Sequence, residues 1–307
     1  MERDCCPVKW AIGGIIFFSG VLLWGAGEDF KISDNADYVL LDVSVRDRTG
    51  SFVTGLNKTN FQIFEDGKQR AITYFASVDM PVAVGLILDN SGSMAVKRPR
   101  VVAAGLAFAR QSNPKDEFFV INFNDSIRHG LPPSLAFTDD LQTLRRALYW
   151  GAPQGKTALY DAISYGLKHL KMSRQERRTL IVVSDGRDNA SRIGFTELRK
   201  ELEASRATVY TVGLSDPDEE SELKDRVLRK ISKMTGGEFF QPLEVSDVTD
   251  VFNKIAGDVR HRYSIEYAPD EIYNHKSVRS VKVVVRQDRH KLQARARTTY
   301  SIARASE

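Results

Sequence analysis

The chain has 307 residues, 42% of them hydrophobic and 27% charged, with a formal net charge of +4. That balance excludes a disordered or collagen-like chain, and the length predicts two folded units, since single domains commonly run to about 100–200 residues. The small positive surplus does not imply a nucleic-acid partner for a body of this size.

Residues 10–27, WAIGGIIFFSGVLLWGAG, carry no charge, and as a helix they would reach about 27 Å, just enough to cross a bilayer core. Residues 1–27 therefore read as either a signal peptide or a membrane anchor. Gly25 and Gly27 offer a small-residue cleavage site poorer than the A-x-A pattern, and both readings stay open. Arg3 and Lys9, offset by Glu2 and Asp4, precede the apolar stretch, whereas Glu28, Asp29, Asp34 and Asp37 follow it, and the asymmetry favours an exported body. The expected location is periplasmic, extracellular, or on the outer side of an inner membrane. Cys5 and Cys6 lie before the stretch, so the body has no thiol for a disulfide or a cysteine-type zinc site.

Residues 37–79 read as a β segment. Val39, Leu41, Val43 and Val45 alternate with Asp42, Ser44 and Arg46, and Asp66-Gly67 separates two further strand-like runs as a hairpin turn does. From residue 80 to 262 the rhythm changes. Solid apolar runs at 82–88, 118–123, 179–184 and 207–214 suit strands buried on both faces of a parallel sheet. Amphipathic segments at roughly 97–112, 139–150, 158–171, 195–205, 219–234 and 245–260 separate them, so the expected fold is a doubly wound α/β sheet. Residues 263–307 return to alternation, with Val281, Val283 and Val285 on one side of a strand and Leu292, Ala294, Ala296 and Thr298 on one side of the next. These terminal strands are expected to join those of 37–79 in one small antiparallel β domain.

Ligands of open α/β sheets sit at the carboxyl ends of strands, and there the sequence concentrates oxygen donors. The run LILDNSGSM carries Asp89, Ser91 and Ser93, GKTALYD carries Thr157, and VVSDGRDN carries Asp185. Two carboxylates and three hydroxyls make an all-oxygen set suited to Mg²⁺ or Mn²⁺. With only two carboxylates the ion would stay electrophilic, and an acidic side chain of a partner would complete its charge and geometry. The competing reading of D-N-S-G-S is a loop with a helix N-cap, because Asp, Asn, Ser and Gly dominate both. Asp161 reads as a first-turn helix stabiliser, Asp188 as a loop residue, and Asn90 and Met94 as shapers of the loop.

The D-x-S-x-S at Asp89, Ser91 and Ser93, the T-A-L-Y-D-A stretch opened by Thr157, and S-D-G at Ser184, Asp185 and Gly186 resemble the metal-ion-dependent adhesion site of von Willebrand factor type A domains. The resemblance spans roughly residues 80–262. It implies a Rossmann-like fold in which the serines and the threonine take part in coordination, the aspartates act directly or through water, and one position is left for a ligand carboxylate. Lys156 departs from the pattern, since many relatives carry glycine there; its side chain is expected in solvent. The flanking segments VLLDVSVRD and GLNKTNFQIFEDGK, with Arg297 and Tyr300 as an R-x-x-Y ending, resemble those of a group of bacterial exported proteins with such domains.

Two other signals are weaker. Lys276, Arg279, Lys282, Arg286, Arg289, Lys291, Arg295, Arg297 and Arg304 form a basic terminal stretch, but many alternate with apolar residues as on a solvated sheet face. His129, His169, His261, His275 and His290 show no ligand spacing and read as surface or packing residues. The expectation is a non-enzymatic, exported protein that captures an exposed Asp or Glu of a protein partner through Mg²⁺ or Mn²⁺. One alternative is a metal-dependent hydrolase or phosphotransfer enzyme with Asp89 as nucleophile, although Ser91 stands where such sites place a second aspartate. Another is a structural component of an envelope complex.

Overall fold

The alternating run after Tyr38 forms β1 (Val39–Arg46), with Val39, Leu41, Val43 and Val45 all buried. The computed structural model describes residues 38–77, 79–149, 151–184, 188–214, 221–269, 278–288 and 290–301, all within one unit, Ala36–Glu307. The apolar stretch 10–27, expected as a signal peptide or anchor, lies outside the described residues.

After β1 come β2 (Phe61–Glu65), β3 (Lys68–Arg70) and β4 (Ile72–Ala76). Asp66 and Gly67 connect β2 to β3 with φ of 46° and 82°, the two positive values that a type I′ hairpin demands. Strand and helix then alternate through β5 (Val82–Asp89), α1 (Arg98–Gln111), β6 (Glu117–Phe123), β7 (Ile127–His129), α2 (Leu141–Leu148), α3 (Leu159–Leu170), β8 (Arg177–Ser184), α4 (Phe195–Ala204), β9 (Thr208–Gly213), α5 (Ser221–Thr235), β10 (Phe239–Phe240) and α6 (Val248–Arg260). The chain closes with β11 (Arg262–Tyr267), β12 (Val278–Gln287), β13 (His290–Arg295) and β14 (Thr299–Ser301).

The α/β sheet has the order β10-β9-β8-β5-β6-β7. Four of its five pairings are parallel, and at the edge β7 runs antiparallel to β6, so the sheet is mixed. All eight residues of β5 are buried, as expected of a strand covered by helices on both faces. Gly85 is where packing leaves no room: a Cβ there would stand 2.3 Å from Phe119 Cζ and 2.6 Å from Leu180 Cδ2. The chain passes from β5 outward to β6 on one side and later to β8 on the other. That topological switch puts the carboxyl ends of β5 and β8 side by side, where a ligand crevice forms.

The second sheet has the order β3-β2-β12-β13-β1-β11-β4, with β14 on β12, and its strands pair antiparallel. Strands from both chain flanks thus interleave, β12 and β13 lying between β2 and β1. Only Ala71 separates β3 from β4, yet they occupy opposite ends of the order, so the sheet curls until its edges nearly meet. Leu41, Val43, Ile63, Ile265, Tyr267 and Val285 fill its interior.

A buried ion cluster joins the two sheets. Asp258 on α6 is fully buried and accepts from Ser44 Oγ (2.5 Å), Arg295 Nη2 (2.5 Å), Arg262 Nη2 (2.7 Å) and the Tyr210 hydroxyl. Burial alone would raise its carboxyl, but Arg262 and Arg295 hold it well below the usual carboxylate range. Arg295 also pairs with Glu238, and Arg279 pairs with buried Glu65 at 3.3 Å. Arg297 donates to the Leu202 and Ser205 carbonyls at the end of α4, and the Tyr300 hydroxyl donates to Glu65. The basic terminal stretch is therefore only partly a solvated face. Lys282, Arg286 and Lys291 are exposed, whereas Arg279 and Arg297 are buried because the core of the second sheet and the end of α4 supply their acceptors.

Candidate functional site

Asp89 is the last residue of β5 and is fully buried. Its Oδ1 accepts the Ser91 N–H at 2.8 Å, and its Oδ2 accepts Ser184 Oγ, from the end of β8, at 2.6 Å. These bonds fix the carboxylate plane. Ser91 is buried and Ser93 exposed, with their hydroxyl oxygens 3.2 Å apart. Neighbouring ligands of an octahedral Mg²⁺ at 2.0–2.1 Å stand about 2.8–3.0 Å apart, so this hydroxyl pair needs little adjustment to form one edge of such a shell.

The capping alternative fares poorly. A 3₁₀ turn covers Gly92–Met94 with Ser91 at its N-cap position, but the Ser91 side chain makes no capping bond. Helix α1 begins later, with Lys97 at its N-cap. The hydroxyls are directed to each other instead.

Backbone bonds lace the Asp89 loop to the loop before α3. Gln154 N–H donates to Asn90 O (2.9 Å), Gly92 N–H to Gly155 O (3.4 Å), and Asn90 Nδ2 to Ala152 O (3.1 Å). Gly155 adopts φ +78°, and a Cβ on it would stand 3.0 Å from Asp125 Oδ2, so glycine suits both the conformation and the space. Thr157, buried, is clamped by a third loop: its N–H donates to Asn189 Oδ1 (2.8 Å), and its carbonyl accepts from Asn189 and Ala190 N–H (3.0 and 3.1 Å). Ala158 N–H donates to Asn124 O at 2.7 Å, tying the same turn to the end of β6.

Four of the five predicted donors, Asp89, Ser91, Ser93 and Thr157, thus stand in adjoining loops at the carboxyl edge of the sheet. Asp185 lies outside the described residues, between Ser184 and Asp188. Asp161 is engaged elsewhere, accepting the Arg192 and Ile193 N–H groups at 3.0 and 3.1 Å, which supports the reading of it as a structural residue. Asp188 Oδ1 accepts Ser191 Oγ at 2.5 Å and Tyr160 N–H at 3.4 Å, organising the third loop. Lys156 is exposed.

Several contributors stand outside the five predicted donors. Asn189 holds Thr157, Ser184 holds Asp89, and Arg98 lies beneath them, buried, donating to Asn122 Oδ1 and to Leu148 O at 2.9 Å. Burial pulls the Arg98 guanidinium down to about 10, while the charge of Asp89 works in the opposite direction. It remains cationic at neutral pH and offsets part of the Asp89 charge. The described members of the predicted set, hydroxyls and one structurally fixed carboxylate, fit a hard divalent cation.

Part of the chain matches a known family, and its fold is similar to that of solved structures. Residues 84–187 match the von Willebrand factor type A domain. Among solved structures, a von Willebrand factor type A protein from Catenulispora acidiphila is 12% identical over 86% of this chain and 73% of its own, with a TM-score of 0.52, which supports the same fold. The vWF domain of the type V pili tip protein Mfa5 from Porphyromonas gingivalis is 14% identical over 59% of this chain and 95% of its own, with a TM-score of 0.47. An aerotolerance-related membrane protein from Bacteroides fragilis is 18% identical over 57% of this chain and 98% of its own, with a TM-score of 0.46. No curated protein matches the chain. The region that matches the type A domain is flanked here by strands from both sides that build one further sheet.

Proposed function

We propose that the type A domain binds a protein partner through a Mg²⁺ or Mn²⁺ ion held by Asp89, Ser91, Ser93, Thr157 and Asp185. The observation that carries the reading is the lacing of the Asp89, Thr157 and Asn189 loops, which brings the separate stretches that carry Ser91, Ser93 and Thr157 together at one sheet edge. Ser91 and Ser93 would supply one edge of the shell, and Asp89, its plane fixed by Ser184, would act directly or through water. Bound there, the ion supplies a Lewis-acid position for an Asp or Glu of the partner. The surrounding loops select that partner. Export rests on the uncharged stretch 10–27 and the acidic residues after it, and the body acts as an adhesion or scaffold protein rather than an enzyme.

Affinity capture from native envelope extract, read by mass spectrometry with and without EDTA, tests the proposal. A partner retained by the wild-type chain in Mg²⁺ should be released by EDTA and missed by Thr157→Ala. Retention of the same partner by Thr157→Ala in EDTA would refute metal-dependent capture.

A further inference from the structure

The histidines have no ligand spacing in sequence, yet the fold brings two of them together far from the three laced loops. His129, at the end of edge strand β7, and His169, in the last turn of α3, have ring centroids 4.6 Å apart and Nε2 atoms 3.4 Å apart. Phe119 and Phe137 pack on His169 at 4.3 and 5.1 Å between centroids, and Phe119 stacks on His129, so aromatic walls limit how either ring turns. A cavity of about 820 Å³ opens onto the pair. Met172 lines the same cavity and is itself 58% exposed. Its N–H donates to His169 O at 3.0 Å, which continues the helical turn and sets its side chain three residues on, over the same side of α3 as His169.

Two imidazole nitrogens each about 2.0–2.1 Å from one ion stand about 3.3–3.6 Å apart at tetrahedral or trigonal angles, and the observed separation falls inside that window. Among the described residues no group of three or more His, Cys, Asp or Glu side chains gathers anywhere, so a third donor must come from another side chain, and Met172 is the one at hand. We propose that His129, His169 and the Met172 thioether form a binding site for Cu(I), separate from the oxygen-lined loops. The chemistry selects this ion. Both ligand types are neutral and the thioether is soft, no acidic side chain among the described residues lines the cavity to neutralise a dication, and Arg146 on its wall is cationic.

His169 is buried. Its Nε2 stands 2.8 Å from Ala136 O, an arrangement in which the ring proton sits on Nε2 and is donated to that carbonyl. Ligation moves this proton to Nδ1, so copper binding releases no net proton but gives up the Ala136 bond. His129 lies only half-buried beside the cavity, with its Nε2 facing that of His169.

The test is an anaerobic titration of the full chain with Cu(I) against the chromogenic chelator bathocuproine disulfonate. The chain carries Cys5→Ser and Cys6→Ser, because those adjacent thiols would take up Cu(I) themselves. One Cu(I) per chain is expected, with X-ray absorption showing two nitrogen neighbours and one sulfur. Met172→Leu should weaken binding at least about tenfold, the loss that even an outer-shell partner of a metal causes, and His129→Phe should abolish it. His129→Gln serves as a second variant, and circular dichroism checks that each is folded. Absence of stoichiometric Cu(I) in the parent, or equal affinity in folded His129→Phe, would overturn the site. Unchanged affinity in Met172→Leu would overturn the thioether assignment. Because Cu(I) has little affinity for hydroxyl donors, neither result depends on the Mg²⁺ proposal.

Discussion

Replacing Asp258 by Ala should cost about 3–5 kcal/mol, the penalty for breaking a buried ion pair and leaving one charge uncompensated. The structure supports the upper part of that range. Asp258 is fully buried, it accepts from Ser44, Tyr210, Arg262 and Arg295, and the Arg262 side chain left behind is only 2% exposed. For a unit of this size about 1 kcal/mol moves the melting temperature by about 2–4 °C, so thermal unfolding followed by circular dichroism at pH 7 should show a fall of about 6–20 °C. Ser44→Ala, which removes a single donor, should cost about 1 kcal/mol. The pH dependence has a defined sign. The folded-state pKa of Asp258 is depressed, so its stabilisation is full above the unfolded value of about 3.9 and is lost as pH falls below it toward the folded value. The stability gap between wild type and Asp258→Asn should therefore hold from pH 7 to about pH 4 and shrink below. A cost under about 1 kcal/mol, or a gap that stays constant down to pH 3, would refute the assignment of this cluster as the joint between the sheets.

Gly85→Ala should destabilise by about 1–3 kcal/mol in urea denaturation, because its methyl would press on Phe119 and Leu180, and a second substitution Phe119→Leu should recover part of the loss. Asn189→Ala removes the acceptor of the Thr157 N–H, so Mg²⁺ affinity measured by calorimetry should fall about tenfold or more while the fold persists. Asp161→Asn, by contrast, should leave Mg²⁺ affinity within about twofold, since both carboxylate oxygens already serve the Arg192 and Ile193 amides; a tenfold loss would make Asp161 part of the ion's shell.

What the sequence made legible followed from local rules. The solid apolar runs became β5, β6, β8 and β9, buried because helices cover both sheet faces, and Asp66-Gly67 became the hairpin its backbone preferences require. Alternation at Val281 and Val285 marked the buried side of β12. Other features arise only when distant segments meet. Asn189, a loop residue like many others, acquires its role by standing under Thr157, and Ser184 does so by ending a strand beside Asp89. Nothing local distinguishes Arg279 and Arg297 from Lys282 and Arg286, yet the first two turn inward because Glu65 and the α4 carbonyls await them. His129 and His169 are forty residues apart in sequence, and only the packing of α3 against the sheet edge makes them a pair.

The account stands most directly on whether the Asp89 loops bind a divalent cation. Thermal unfolding of the full chain across a Mg²⁺ titration measures this, because a ligand at a hundredfold its dissociation constant stabilises by about 2.7 kcal/mol. The wild-type melting temperature should rise with Mg²⁺ and fall back with EDTA, and Ser93→Ala and Asp89→Ala should lose that rise. A wild-type chain indifferent to Mg²⁺ and Mn²⁺, or an Asp89→Ala chain that gains as much from Mg²⁺ as the wild type, would contradict it.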